Sequence, residues 1–262
     1  MMGRFADLPQ EINQIVGRAV TNAHTLTRYR EPLVAFAAAD DPRFALIPDV
    51  AHPNHMMPCD LLPGARSVIA FFVPFQPDAV RANAEHPQAV AEEWARAYVE
   101  TNDLIGEITC RLISFLEDRG EAAAAEPATG SFNERSLTSR WSHKSAAVIS
   151  GLGSFGLHQM VITDAGCAGR LGSLVTEARL PPSSAEPRER CLYFHDGSCR
   201  QCVTRCPLDA LSTEKPLDRR VCWSRCSEVA VRFAHLGTAE VCGKCAIGPC
   251  GFESPIRPRD AH

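Results

Sequence analysis

The stretch Cys191-Leu-Tyr-Phe-His-Asp-Gly-Ser-Cys199-Arg-Gln-Cys202-Val-Thr-Arg-Cys206-Pro207 decides how the last part of this chain folds. It opens a cysteine-rich tail that continues through Cys222 and Cys226 to Cys242-Gly-Lys-Cys245-Ala-Ile-Gly-Pro-Cys250. Nine of the twelve cysteines lie in this tail. Short Cys-x-x-Cys loops bring soft thiolates together around a metal centre, so the spacing predicts metal ligation rather than a disulfide framework.

The run from Cys199 to Pro207 is similar to the ferredoxin pattern Cys-x-x-Cys-x-x-x-Cys-Pro, whose last cysteine ligates the other of two [4Fe-4S] clusters. The standard run has one more cysteine where this chain has Asp196, so we take Cys191 as the substitute ligand. We therefore predict two clusters. The predicted ligand sets are Cys191, Cys199, Cys202 and Cys250 for the first cluster, and Cys206, Cys222, Cys242 and Cys245 for the second.

Some assignments of the cysteines stay open at this point. Cys226 is left over and is the alternative to Cys222 in the second set. Paired Cys-x-x-Cys loops also make tetrahedral zinc sites, so a zinc-stabilised binding module is an alternative to the clusters. Cys59, Cys110 and Cys167 lie outside the tail, and we predict that they are buried thiols rather than ligands.

The composition is that of an ordinary globular protein, with 45% hydrophobic and 22% charged residues and a net charge of −4. No basic excess favours nucleic acid or an anionic membrane. No apolar run approaches the ~20 residues that span a bilayer, and the first ten residues lack the apolar core of a signal peptide. We expect a cytoplasmic protein with a low-potential electron donor, similar to a ferredoxin or flavodoxin, as its partner.

The residues before the tail carry alternating helix and strand patterns. Helices are predicted over 10–29, 88–119 and 141–150, and strands over 33–37, 67–75, 122–125, 158–163 and 171–180. Residues 181–187 are rich in proline and serine and form the predicted linker. The predicted organisation is an α/β cofactor- and substrate-binding domain over 1–185 and a ferredoxin-like double-cluster domain over 186–262.

Gly151-Leu-Gly153-Ser-Phe-Gly156 fits the spacing of a dinucleotide-binding loop. That fingerprint requires a strand before the glycines and a helix after them, whereas the patterns here predict the reverse order. We therefore do not expect NAD binding. The glycines favour either a close approach of the backbone to a bulky planar ligand or a tight turn.

The segment from Ser142-His143-Lys144 through these glycines, followed by Ile162-Thr163 and Gly172-Ser173-Leu-Val-Thr176, resembles the central block of epoxyqueuosine reductases. Leu62-Pro-Gly-Ala-Arg66-Ser67-Val-Ile is similar to the family's approach to a central strand. The resemblance implies an α+β body, nitroreductase-like or cobalamin-binding-like and related to reductive dehalogenases. In that family two [4Fe-4S] clusters pass electrons to a cobalamin, which reduces the substrate.

The resemblance also implies site residues. Those for cofactor binding are Gly151, Gly153, Ser154, Phe155, Gly156, Arg170 and Ser173. The family's catalytic aspartate has no counterpart in Ser136-Leu137-Thr138, so His143 and Glu134 are the candidate acid–base residues, with a packing role as the alternative for His143.

The family's tryptophan and lysine in the glycine block are Phe155 and Leu157 here. Because of these departures we expect a small-molecule substrate other than epoxyqueuosine. A flavin in place of the corrinoid is one alternative. A non-catalytic electron-transfer or activator protein for another corrinoid enzyme is the other. We expect His158 to have a structural role in a strand, and His55 to lie in a solvated loop or face a ligand pocket.

Overall fold

The computed structural model describes residues 7–127, 130–183 and 188–256. The body contains α1 (Leu8–Thr21), β1 (Leu33–Ala38), α2 (Ile47–Val50), α3 (Pro58–Leu61), β2 (Ser67–Pro74), α4 (Pro77–Glu85), α5 (Glu92–Glu117), β3 (Ala123–Ala124), α6 (His143–Ile149), β4 (Gly153–Phe155), β5 (Val161–Thr163) and β6 (Gly169–Thr176). The tail contains α7 (Leu192–Asp196), α8 (Gln201–Thr204) and α9 (Arg219–Arg232). Within these described ranges, no helix combines the length and apolar character needed to cross a membrane.

The main sheet has the strand order β1–β2–β6–β3, and every pair of neighbours is antiparallel. β2 and β6 are the two inner strands, and all eight residues of β2 are buried. A strand covered on both faces needs a continuous apolar sequence, which explains the run from Ser67 to Pro74. The body therefore mixes helices with an antiparallel sheet, which is the α+β form of the predicted α/β class.

Helices cover both faces of the sheet. α1 and α5 pack on one face against Phe36, Ile69, Phe71 and Leu174. α6 covers the other face, where Ala147 and Leu152 pack against Ala35, Ala70 and Phe72. This three-layer arrangement buries the apolar stripe that the sequence predicts along α5.

Two of the three cysteines outside the tail are not buried, contrary to the sequence prediction. Cys110 is exposed because it lies on α5 outside the buried stripe that contains Ile108 and Leu112. Cys59, within the single-turn α3, is also exposed. Cys167 is buried as predicted.

Several element boundaries also differ from the predictions. α1 ends at Thr21 rather than at residue 29, and the Glu100 carboxylate instead accepts hydrogen bonds from the backbone of Leu26 and Thr27. α4 was not predicted. The predicted strand over 158–163 begins only at Val161, because the chain first makes the turn of the β4–β5 hairpin.

The tail packs on the body through a shared hydrophobic core. Val229 of α9 and Phe233, just after the end of α9, join Trp94 of α5 and Phe75 in this core. Backbone hydrogen bonds run from Cys167 and Ala168 to the carbonyls of Cys250 and Gly251. The Arg30 guanidinium donates to three carbonyls, those of Phe75, Ala165 and Phe252. The end of the tail is therefore attached to the body by both apolar and polar contacts.

Candidate metal and cofactor site

Five cysteines of the tail line one small cavity. They are the first group, Cys191, Cys199, Cys202 and Cys250, together with Cys245. Burial raises the pKa of the Cys202 thiol to about 11, and the negative charges of Cys250, Cys191 and Cys199 also raise it. Without a metal, the negative charge of one thiolate here makes the next thiol harder to deprotonate. A bound cation would remove this repulsion and deprotonate the thiols together.

A second group of cysteines adjoins the first. Burial raises the pKa of the Cys245 thiol, and the charges that add to the rise belong to Cys242, Cys222, Cys202 and Cys206. Cys202 belongs to the first group, so the two groups are neighbours. Cys222 and Cys226 lie one turn apart on α9, and the hydrogen bond between them lowers the pKa of Cys222 to about 7. Cys222 and Cys226, the two alternatives for the same position in the second ligand set, therefore both lie near Cys242 and Cys245.

A third, more compact group combines one tail cysteine with two residues of the body. The ligand atoms of His158, Cys167 and Cys250 all lie within 4.8 Å of one another. Hydrogen bonds from Cys167 and from His158 lower the pKa of the Cys250 thiol to about 5, against the opposing effect of burial. Sequence reasoning treated His158 and Cys167 as structural and did not connect them with the tail.

His143 begins α6 and is held by a short polar relay. Its Nδ1 lies 2.7 Å from Ser173 Oγ, which also accepts a hydrogen bond from Trp141 Nε1 at 2.9 Å. Burial, and then the charge of Arg170, lower the pKa of His143 to about 4. The ring is therefore neutral at pH 7, and it can donate a hydrogen bond but does not carry an extra proton.

Lys144 is a further candidate that sequence reasoning missed. Its Nζ donates to the Gln159 carbonyl at 3.1 Å. Burial lowers the pKa of Lys144, whereas the charges of Cys245 and Cys222 raise it. The side chain therefore lies between α6 and the second cysteine group. Its position beside His143 at the start of a predicted helix was the signal available in the sequence.

Arg170 and Ser154, two of the other predicted site residues, have polar partners within the protein. The Arg170 Nε donates to Asn102 Oδ1 at 2.9 Å, and its guanidinium lies 4.0 Å above the Tyr98 ring. Ser154 Oγ accepts a hydrogen bond from the Arg190 backbone. Glu134 is exposed. Burial is the main cause of the raised pKa of Glu240, and the charge of Glu134 adds to it.

The glycine block has packing roles in this fold. Gly151, with φ +86°, ends α6 in the left-handed region. A Cβ at Gly153 would lie 2.3 Å from the Ile162 carbonyl oxygen, and one at Gly156 would lie 2.7 Å from His158 Cε1. The order of helix, glycines and strand is the one the sequence predicts. The role of these positions in cofactor binding stays a prediction.

A second cavity is polar and open, with a volume of about 850 Å³. Its lining includes His55, Asp60, Ser136, Thr138 and Arg140. His55 is 6% exposed and stacks on Trp141, so of the two expectations the solvated loop is wrong and the position at a pocket agrees with the structure. Its Nε2 accepts a hydrogen bond from the Ser142 backbone, and burial lowers its pKa. Ser136 and Thr138, from the stretch Ser136-Leu137-Thr138 that contains no acid, therefore line this cavity.

No protein-family model matches the chain, and no curated protein matches it in sequence. Its structure is similar to solved epoxyqueuosine reductases. For the Bacillus subtilis enzyme, solved with its catalytic loop swung out of the active site, the TM-score is 0.60 at 17% identity over 96% of this chain and 68% of that chain. For the Streptococcus thermophilus enzyme the TM-score is 0.59, with the same identity and coverage. A reductase solved with an epoxyqueuosine-modified tRNA stem loop gives 0.60 at 18% identity, over 94% and 65% of the two chains.

These similarities confirm the predicted resemblance at the level of the fold. The chain spans about two thirds of the length of the solved reductases. The polypeptide therefore shares the fold of these reductases, and its own side chains have to carry any argument about chemistry.

Proposed function

We propose that this protein is an iron–sulfur oxidoreductase that passes electrons through two [4Fe-4S] clusters to a cofactor in its body. The cofactor we propose is a corrinoid, and the final acceptor is a small organic substrate. The carrying observation is that the two groups of tail cysteines adjoin each other and also adjoin residues of the body. The proposed ligand sets are those predicted from the sequence.

The pattern of the cysteines favours clusters over zinc. The tail offers more than eight candidate thiolates, and Pro207 follows Cys206 as in the ferredoxin pattern. In a cubane each thiolate binds a different iron, so two clusters use all eight cysteines of the proposed sets.

The body residues have roles that follow from their contacts. A bound corrinoid would supply the low-potential metal that reduces the substrate. Lys144 places a cation next to the second cysteine group, where it offsets the negative charge of the thiolates. The Ser173 hydroxyl accepts from Trp141, so its own hydrogen is available to His143 Nδ1, which leaves the ring hydrogen on Nε2. His143 then acts as a neutral hydrogen-bond donor.

Metal analysis of anaerobically purified protein tests the clusters. We expect about eight iron atoms and about eight acid-labile sulfides per chain. Cys199→Ala and Cys206→Ala should each remove about half of the iron, because each change takes a ligand from a different proposed cluster. Cys110→Ala is the matched control, since this exposed cysteine of α5 should not affect iron. A protein that contains zinc and no iron would refute the proposal.

Titration of the iron-loaded protein with cob(II)alamin, followed by EPR, tests the cofactor. We expect saturable binding that Arg170→Met, at a predicted cofactor-binding residue, weakens and that Lys215→Met, at an exposed cation, leaves unchanged. Absence of binding with intact clusters would contradict the corrinoid step. A flavin titration by fluorescence checks the alternative cofactor.

A second candidate function is a non-catalytic electron-transfer or activator protein for another corrinoid enzyme. Two observations favour it: Ser136-Leu137-Thr138 contains no acid, and the pKa of His143 lies at about 4. A group with so low a pKa is a poor proton donor at neutral pH. Multiple turnovers of a substrate by the isolated protein with an artificial reductant would exclude this candidate.

A further inference from the structure

Cys250 is contacted by two buried side chains of the body that belong to neither proposed ligand set. His158 Nε2 lies 3.4 Å from Cys250 Sγ, and Cys167 Sγ lies 3.9 Å from it. His158 is 4% and Cys167 2% exposed. The N–H of an imidazole is a better donor than the S–H of a thiol, and the imidazole is also the nearer of the two to Cys250 Sγ.

The backbone decides which nitrogen of His158 carries the hydrogen. Met160 N donates a hydrogen bond to His158 Nδ1 at 3.1 Å. A ring nitrogen that accepts has no hydrogen, so the neutral imidazole carries its hydrogen on Nε2. That hydrogen is directed towards Cys250 Sγ, with Cys167 Sγ slightly further away at 3.6 Å. A cysteine sulfur that binds iron is a thiolate, so Cys250 is the acceptor.

The position of the ring relative to Cys250 is fixed from two sides. Gly156 lies so close to the ring that a Cβ there would be 2.7 Å from His158 Cε1. Cys167 and Ala168 donate backbone hydrogen bonds, at 2.9 and 3.0 Å, to the carbonyls of Cys250 and Gly251. The imidazole and the cysteine are therefore held together by the body and not by a mobile loop contact.

We propose that His158 is a positioning residue for the cluster bound through Cys250, and that its Nε2–H hydrogen bond raises the reduction potential of that cluster. Reduction adds negative charge to the cluster and its sulfurs, so a donor aimed at a ligand sulfur stabilises the reduced state more than the oxidised state. The inference rests on the proposed two-cluster function. It gives the two clusters unequal potentials, because the donor acts on one of them.

An EPR-monitored redox titration of iron-loaded variants tests this role. His158→Asn keeps an acceptor near the Nδ1 position but loses the donor at Nε2, so one of the two midpoint potentials should become more negative while the other stays. His158→Gln carries an amide donor close to the Nε2 position and should stay near the wild-type values. His24→Asn, at an exposed histidine, is the control and should shift neither potential.

The outcomes separate this inference from the proposed function. Unchanged potentials in His158→Asn, at full iron content, would overturn the role of His158 and leave the two clusters in place. A wild-type protein without iron, or a Cys250→Ala variant that retains all of it, would overturn both. Pulsed EPR of the reduced wild-type protein labelled with ¹⁵N-histidine does not depend on a variant that folds. It should detect a nitrogen coupling to one cluster, and its absence would also overturn the inference.

Discussion

Replacing Lys244 should loosen the loop that supplies two of the proposed ligands. Lys244 lies between Cys242 and Cys245, yet its side chain is 2% exposed and points to the body. Its Nζ donates to the Asn83 carbonyl, to Asn83 Oδ1 at 3.1 Å and to the His86 carbonyl at 2.7 Å. The Asn83 amide in turn donates to the Cys242 carbonyl at 3.1 Å. The loop is thus anchored to the end of α4.

The magnitude follows from the acceptors that Lys244→Met leaves behind. Asn83 Oδ1 still accepts a hydrogen bond from the Ala91 backbone, whereas the two carbonyls lose the ammonium donor. A buried acceptor without a partner costs about 1–3 kcal/mol. Removal of the ammonium also recovers part of its desolvation penalty, which lowers the pKa of Lys244. We expect a net loss of about 2 kcal/mol, or about 4–8 °C in Tm for a chain of this size.

Anaerobic urea unfolding of the iron-loaded protein, followed by circular dichroism, measures this loss. Lys215→Met is the matched control, because this exposed lysine should change the free energy of unfolding by less than about 0.5 kcal/mol. A Lys244→Met protein as stable as the Lys215→Met protein would refute the anchoring argument. Iron analysis of the same samples shows whether the loosened loop also loses metal.

Three further expectations concern ligation, backbone conformation and pH. Cys222→Ala should lower iron content by about half whereas Cys226→Ala should not; equal losses would contradict the assignment. Gly243→Ala should destabilise the fold, since φ is +70° and a Cβ would lie 2.1 Å from the Trp94 indole. Gly106→Ala in α5 should instead stabilise the fold by about 1 kcal/mol, because a Cβ there meets nothing within 4 Å. Thermal melts measure both effects. The pKa of His143 is lowered to about 4, so the unfolded chain binds a proton at this histidine more readily than the folded protein does. The free energy of unfolding should therefore be unaffected by His143 above pH 6.5 and should decrease as the pH falls from 6.5 towards 4. His143→Gln should make the free energy of unfolding less dependent on pH in that window.

Local patterns predicted the elements whose environment is uniform along their length. The apolar run from Ser67 to Pro74 is an inner strand, and the stripe along α5 faces the core. Ser142 stands just before α6, where a serine is typical of a helix cap, and its Oγ accepts a hydrogen bond from the Ser145 backbone. These signals depend on residues within a turn or two, which the sequence displays directly.

Predictions failed where distant residues set the local structure. α1 ends at Thr21, and beyond it the Glu100 carboxylate binds the backbone of Leu26 and Thr27 in a non-helical conformation. α4 has a weak apolar pattern and owes part of its position to Asn83, which bonds to the tail. His55 is buried against Trp141 although its neighbours in sequence are loop residues.

The sequence by itself determined the chemistry on offer: the spacing of nine cysteines in the tail, the proline after Cys206 and the helix that leads into the glycines. Only the tertiary structure decided what surrounds those cysteines. His158 reaches Cys250 across 92 residues, and Cys167 reaches it across 83. Periodicity and spacing report contacts between near neighbours in the chain. Contacts of such long range exist only once the sheet, α6 and the tail have packed together.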